Sequence, residues 1–266
     1  MLVRSFGSGS SGNCFLLSSG ESHLMVDCGV ARYGFDRHLA AIDLTVRHVS
    51  AVVISHEHGD HVRSLPRLQG RGVPVHATRG TLDAVGCGKE GVVIPSGRQL
   101  EVAGFHVEAI PISHDAAEPC GYSICRNGVQ VVILTDVGRP EPHFLPHLSQ
   151  ASLIIIEANH DRRMLREGPY PSHLKKRIVS GSGHLSNHEC GELLAAAVGL
   201  APRRQTVWLA HISRTNNRPD IAVSTIQEML AGHRPQPVIA ALKPAGGEVW
   251  PTPGAEVSSE QLGFRW

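Results

Sequence analysis

Several short apolar runs in this chain end, at their C-terminal side, in an ionisable residue. Ala51-Val52-Val53-Ile54 runs into Ser55-His56, and the segment closing at Ile112 runs into Ser113-His114. Val129–Leu134 ends at Asp136, Leu153–Ile156 at Glu157, and Thr206–Ala210 at His211. Runs rich in β-branched residues read as buried strands. Chance would scatter ionisable residues over both ends of such strands. A sheet that delivers His56, His114, Asp136, Glu157 and His211 to one edge is building a site. Helical segments fall between the strands, so the expected class is α/β.

The densest part of the pattern is Ser55-His56-Glu57-His58-Gly59-Asp60-His61, where an apolar strand breaks into a loop. Side chains alternate in an extended segment, so His56 and His58 point the same way and can grip one metal ion. Gly59 lets the backbone turn, so Asp60 and His61 can grip a second ion. A closed structural zinc site needs four ligands, usually with Cys among them. Four nitrogen and oxygen ligands from one loop instead suggest two metals. Glu57 falls between the paired histidines and is expected to face away. His114 is a natural third ligand beside His56 and His58. Asp136 is a natural bridge, because a carboxylate has two oxygens.

Other elements follow in order. Strands are expected at 2–6, 14–18, 23–26, 73–77, in 92–110, at 122–125 and at 237–242. Helices are expected at 35–42, 62–69, 78–85, 160–166, 171–179, 188–198 and 220–231. Gly7-Ser8-Gly9-Ser10-Ser11-Gly12-Asn13 reads as a tight turn, or as a backbone cradle for phosphate, though without the Lys of a P-loop. Asn127-Gly128 is a strong hairpin signal. Ser186 or Asn187 is placed to cap the helix from 188. Asp27 follows an apolar run, so it is expected to be near-buried and partnered. It either orients a metal-bound histidine or plays a purely structural part.

Composition narrows the class. The chain has 266 residues, 41% of them hydrophobic and 18% charged, as in ordinary globular proteins. One domain over 1–250 and a Pro/Gly/Ser-rich tail over 251–266 are expected, with no linker between halves. The net charge of +1 gives no global signal for nucleic acid. The N-terminus lacks a signal-peptide core and no apolar run is long enough to span a membrane, which together suggest a cytoplasmic protein. The six cysteines are scattered, without zinc-finger spacing, and are expected to be reduced. Seventeen histidines fit metal chemistry.

The HEHGDH run, His114, Asp136 and His211, in this order, resemble the metallo-β-lactamase fold superfamily. That resemblance implies an αββα sandwich of two mixed β-sheets flanked by helices, with the metals at one edge. An Asp at 136 is similar to the glyoxalase, lactonase and phosphodiesterase branches, whereas true β-lactamases of this fold generally carry Cys there. GSGSSGNC (7–14), SHDAAEPCGY (113–122), EANHD (157–161), GHLSN (183–187) and HISRTNN (211–217) resemble the YycJ/WalJ-type group, regarded as nuclease-like, with 5′→3′ exonuclease action on double-stranded DNA. The 75 positions from Asp136 to His211 are too few for the extra domain of the β-CASP nucleases.

Carried across, the resemblance implies one ion on His56, His58 and His114, a second on Asp60, His61 and His211, and Asp136 bridging. Zn²⁺, Mn²⁺ or Fe²⁺ suit such ligands. A hydroxide bridging the metals would attack phosphorus, with Asp60 holding it by a hydrogen bond. His184 would stabilise phosphoryl charge or protonate the leaving oxygen, with Glu157 orienting it; the alternative for His184 is a capping or core histidine. Asn13, Arg214 and Asn217 are the substrate-binding candidates. DNA would need cations, for which Arg162, Arg163 and Arg166, Lys175-Lys176-Arg177, Arg203-Arg204, and Arg214 with Arg218 are available. The rival readings are a small-molecule thioesterase, lactonase or cyclic phosphodiesterase on the same fold, and a metal-binding regulatory protein without turnover. Oligomeric state is left open.

Overall fold

The computed structural model describes residues 1–251, so the expected tail lies outside the described residues apart from Pro251. The described residues form two mixed β-sheets flanked by helices. They divide into two compact units. Of the described residues, the first comprises Met1–Pro111, Ala116–Arg126 and Lys243–Pro251; the second comprises Ile112–Asp115 and Asn127–Leu242.

Within the described residues, unit 1 holds a seven-stranded sheet. Its strands are β1 (Leu2–Gly7), β2 (Cys14–Ser19), β3 (Ser22–Val26), β4 (Ala51–Ile54), β5 (Val75–Ala77), β6 (Val92–Val93) and β14 (Val249–Trp250), in the order β14-β1-β2-β3-β4-β5-β6. The β14, β1, β2 and β3 neighbours are antiparallel, while β3 through β6 are parallel. Leu16, Met25, Val52, Ile54 and Val75 share one core with Phe35 and Leu39 of α1 (Arg32–Ala40). Helix α2 (Gly59–Val62) is followed by α3 (Leu65–Gln69), which adds Leu65 and Leu68 to that core. The single helix expected over 62–69 is broken because Pro66 at the start of α3 has no N–H for a carbonyl one turn earlier. Helix α4 (Arg79–Ala84) follows β5. Unit 1 also carries the antiparallel run β7 (Gln99–Val102), β8 (Phe105–Pro111) and β9 (Cys120–Arg126). Ala103 and Gly104, both at positive φ (51° and 78°), make the tight β7–β8 turn.

Unit 2 is built on β10 (Val129–Leu134), β11 (Leu153–Glu157), β12 (Thr206–Ala210) and β13 (Val238–Ala241), each parallel to the next. Parallel strands need crossovers, and here the crossovers are helical. Helix α5 (Leu145–Gln150) joins β10 to β11. Helices α6 (Arg162–Glu167), α7 (Ser172–Ile178) and α8 (Asn187–Val198) join β11 to β12, and α9 (Pro219–Met229) joins β12 to β13. Ser186 caps α8 through a capping box with Glu189.

One expectation is corrected by the pairing. The ionisable strand ends do not share one sheet. β4, which leads to His56, lies in the first sheet, and β8, which precedes His114, runs antiparallel to its neighbours. Asp136, Glu157 and His211 do share an edge, because β10, β11 and β12 are adjacent and parallel, with Leu134 opposite Ile156 and Ile156 opposite Leu209. Pairing is a long-range property, and an apolar run does not carry it.

Candidate metal centre

In unit 1 the site residues stand on the loop that β4 feeds into α2. His56 and His61 are fully buried, with ring centroids 4.0 Å apart, and the His56 and His58 rings are 4.7 Å apart. Asp60 Oδ2 lies 3.8 Å from His61 Nε2. Asp27, 1% exposed at the end of β3, organises this loop. Its Oδ1 accepts the Ser55 N–H at 2.8 Å, and its Oδ2 accepts the Ser55 hydroxyl at 2.9 Å and His61 Nδ1 at 2.7 Å. Of the two parts left open for Asp27, orienting a histidine is the one this geometry supports. Asn13 is wholly buried; its Oδ1 accepts the Gly9 N–H, and its Nδ2 is 3.0 Å from His61 Nε2. The Gly/Ser loop is therefore a turn closed by Asn13. Glu57, expected to face away from the metals, accepts the Ala117 N–H at 2.8 Å.

The close approach in this loop is at Gly29 rather than Gly59. A side chain at Gly29 would collide with the Asp60 carbonyl, whereas one at Gly59 would meet open space. Gly59 opens α2 and is not among the glycines at positive φ, so glycine's conformational freedom is not what this turn uses. The backbone bonds Cys28 N–H to His61 O (2.7 Å) and Asn13 N–H to Asp60 O (2.8 Å) press the strand-end glycine against the loop.

In unit 2 the centre is Glu157, fully buried at the end of β11. Its Oε1 accepts from His211 Nδ1 at 2.8 Å and His184 Nδ1 at 2.9 Å; its Oε2 accepts the N–H groups of Val137 (2.9 Å) and Leu185 (3.2 Å). Burial opposes ionisation of Glu157, but the two histidines outweigh it and hold the carboxyl below the usual range. Burial works against the charged form of His184, and Glu157 and Asp136 reverse it and raise its pKa. Asp136 Oδ1 is 3.4 Å from His211 Nδ1 and 3.9 Å from His114 Nε2. His114 has its pKa lowered by burial, and its Nδ1 stands 3.2 Å from the Gly183 carbonyl. Asn159, unforeseen from sequence, donates to the His211 carbonyl at 2.9 Å.

Backbone strain gathers at these residues. Asp27, Asp136 and His211 take φ values of 55°, 58° and 51°, in the left-handed region that side chains rarely enter. Such outliers persist where the surroundings over-determine them, and they cluster at functional sites.

The donor chemistry fits divalent metal ions. An acceptor on Nδ1 fixes the proton there and leaves the lone pair on Nε2, the tautomer a metal needs. Asp27 does this for His61, Gly183 O for His114 and Glu157 for His211. Within unit 2, Asp136, Glu157, His184 and His211 offer ligand atoms within 4.8 Å of one another.

The substrate candidates divide. Arg214 is exposed, whereas Asn217 is buried, donating to the Ala158 carbonyl and pairing with Asn187. Several expected cations are occupied: Arg163 pairs with Glu167, Arg177 with Asp115 and Arg218 with Asp220, while Arg203 and Arg204 bond backbone carbonyls. Arg162, Arg166, Lys175 and Lys176 line one cavity of about 260 Å³ with Leu165 and Val179, where Arg162 pairs with Glu189 and Arg166 with Glu167. Among the described residues, no helix is long and apolar enough to cross a membrane.

Residues 23–212 match the family model described as a beta-lactamase superfamily domain. The chain is 31% identical to the exodeoxyribonuclease YycJ of Bacillus anthracis over 84% of this chain and 86% of that protein. It is 32% identical to the exodeoxyribonuclease WalJ of Streptococcus pneumoniae over the same shares. Among solved structures it is similar to the metallo-beta-lactamase fold protein YhfI of Bacillus subtilis. That likeness has a TM-score of 0.72 at 19% identity, covering 94% of this chain and 98% of that one.

Proposed function

We propose that this chain, which belongs to the beta-lactamase superfamily and is a metal-dependent hydrolase of that fold, is a phosphodiesterase that removes nucleotides from double-stranded DNA in the 5′→3′ direction. The observation that carries the reading is the Glu157 fork, in which one buried carboxylate holds both His211 and the partly exposed His184 by Nδ1. The two exodeoxyribonucleases to which the chain is similar support DNA as the substrate.

His56, His58 and His114 would hold one ion, Asp60, His61 and His211 the other, with Asp136 shared. Divalent cations held there, Zn²⁺, Mn²⁺ or Fe²⁺, would supply Lewis-acid charge and a lowered pKa for bound water. Asp60 accepts the proton of the attacking water and orients it. His184, kept protonated by Glu157, gives a proton to the leaving O3′, work typically worth about 10²–10⁴-fold. Arg214 contacts a substrate phosphate from the exposed loop after β12. Asn217 acts from beneath, holding the Arg218 N–H in place, and Asn13 acts by closing the Gly/Ser loop through the Gly9 N–H.

The test is digestion of 5′-labelled duplex DNA, single-stranded DNA and RNA with added Mn²⁺ or Zn²⁺, beside an Asp60→Ala variant and a small chromogenic phosphodiester. A ladder from duplex DNA that the variant fails to make is expected. Cleavage of the small diester alone would move the assignment to a small-molecule phosphodiesterase. Cleavage of neither by metal-loaded protein would move it to thioesters, lactones, or binding without turnover.

A further inference from the structure

Unit 1 carries a basic face that no consecutive cluster in the sequence announces. A cavity of about 450 Å³ is bordered by Arg32, Arg63, Arg67 and Arg71. A second, of about 570 Å³, shares Arg67 and Arg71 with it and adds Arg47 and His48. Five arginines thus border two adjoining hollows in a chain whose formal net charge is only +1. Two are anchored: Arg67 Nε is 2.7 Å from Asp36 Oδ1, and Arg63 Nη1 donates to the Ser11 carbonyl at 2.9 Å. Arg32, Arg47 and Arg71 are exposed around the rims.

A merely solvated face is built differently. On α6, Arg163 has Glu167 four residues on to neutralise it. Arg63, Arg67 and Arg71 also follow one another at steps of four, but with no acid interleaved after Asp60. Arg63 ends α2, Arg67 lies in α3 and Arg71 follows it, so the fold rather than one helix face gathers these like charges, which repel one another. Convergence against that cost points to a polyanion as the compensating partner. The cations are arginines, whose planar fork matches phosphate bidentately. Arg63, which borders the first hollow, is two residues beyond His61 on the segment that runs from α2 into α3.

We propose, on the nuclease reading given above, that this face is a track for the phosphate backbone of the DNA substrate. Arg63 receives the strand near the metal loop. Arg32, Arg71 and Arg47 grip successive phosphates farther out. The track reads charge and spacing and confers no base preference.

Binding of a fluorescein-labelled duplex with phosphorothioate linkages tests it, because that probe keeps one charge per linkage and resists cleavage. Anisotropy is followed from about 50 to about 200 mM salt with metal-loaded protein. The triple variant Arg32→Ala, Arg47→Ala, Arg71→Ala is expected to flatten the slope of log affinity against log salt by about 3, and to bind at least roughly tenfold more weakly at the lower salt. The corresponding triple Lys variant keeps the slope, and both variants hydrolyse the small chromogenic diester as the parent does. If the parent cuts duplex DNA and the triple Ala variant binds with an unchanged slope, the track is overturned and the nuclease reading stands. If the parent neither binds nor cuts duplex while hydrolysing the small diester, the nuclease reading fails and the track with it.

Discussion

Asp27 Oδ2 lies 2.7 Å from His61 Nδ1, across 34 positions of sequence, with both side chains buried. The carboxylate fixes the imidazole proton on Nδ1, so Nε2 is the atom that His61 could offer a metal. Asp27→Asn keeps the shape and the Ser55 N–H contact at Oδ1 but puts an amide NH2 where Oδ2 accepts from His61 and the Ser55 hydroxyl. Metal affinity is expected to fall roughly 10–100-fold, the usual loss when a carboxylate behind a ligating histidine is removed. Competition against a chromophoric chelator reads this directly. Unchanged affinity in a folded Asp27→Asn protein would make Asp27 purely structural.

The two glycines of the metal loop should respond oppositely. Gly29→Ala pushes a methyl into the Asp60 carbonyl, which cannot retreat because Asn13 N–H also bonds it. That variant is expected to lose metal affinity together with stability. Gly59→Ala meets nothing and lies in α2. It should be neutral, or stabilising by up to about 1 kcal/mol, because Ala loses less backbone freedom in a helix. Chelator competition and urea unfolding on the pair decide the matter; a damaging Gly59→Ala would restore the turn role to that residue.

What was legible in the sequence is what local chemistry determines. The HEHGDH loop announces itself because its donors are consecutive, and Asp136, Glu157 and His211 because each closes an apolar run. The contacts that tune them are long-range. Nothing near His61 points to Asp27, and nothing near His211 points to the Asn159 amide on its carbonyl. The left-handed backbone at Asp136 and His211 has no sequence mark, since neither is glycine. Helix α5 was not foreseen because Pro142 and Pro146 read as breakers, yet both lie in first turns, where proline lacks no needed donor. β14 was missed because two residues carry no period, and only pairing with β1 makes them a strand. Charge misled in the same way. Arg203-Arg204 looks basic but is spent on carbonyls, while Arg32, Arg47, Arg63, Arg67 and Arg71 are singles that folding gathers.

The thiols make a prediction with a definite sign. None of the six cysteines is joined in a disulfide. Burial pushes Cys120 up to about 12 and raises Cys14, Cys28 and Cys190 as well. The thiolate is the reactive form, so raised groups stay protonated and inert through neutral and mildly alkaline pH. Cys125, half-buried at the end of β9, is expected to be alkylated first by iodoacetamide, followed by mass spectrometry. Raising the pH toward about 9 should speed Cys125 and leave those four unlabelled until the protein is unfolded. Early labelling of Cys120 or Cys190 would contradict the burial that raises them.

Glu157 and His184 can be separated by what each variant does to metal. Glu157 holds His211 and His184 alike at 2.8 and 2.9 Å. Glu157→Gln therefore takes the acceptor from one proposed ligand and one proposed acid. Metal affinity should drop roughly 10–100-fold and turnover should fall further still. His184→Gln removes the proton donor while leaving His211 on Glu157. Metal affinity should stay near that of the parent while kcat falls by roughly 10²–10⁴-fold. Because His184 acts protonated, activity in the parent is present below its raised pKa and lost as pH rises through it. His184→Gln should flatten that alkaline limb. A His184→Gln protein that sheds metal as readily as Glu157→Gln would make His184 a ligand, and the proton for the leaving oxygen would then have to come from another group.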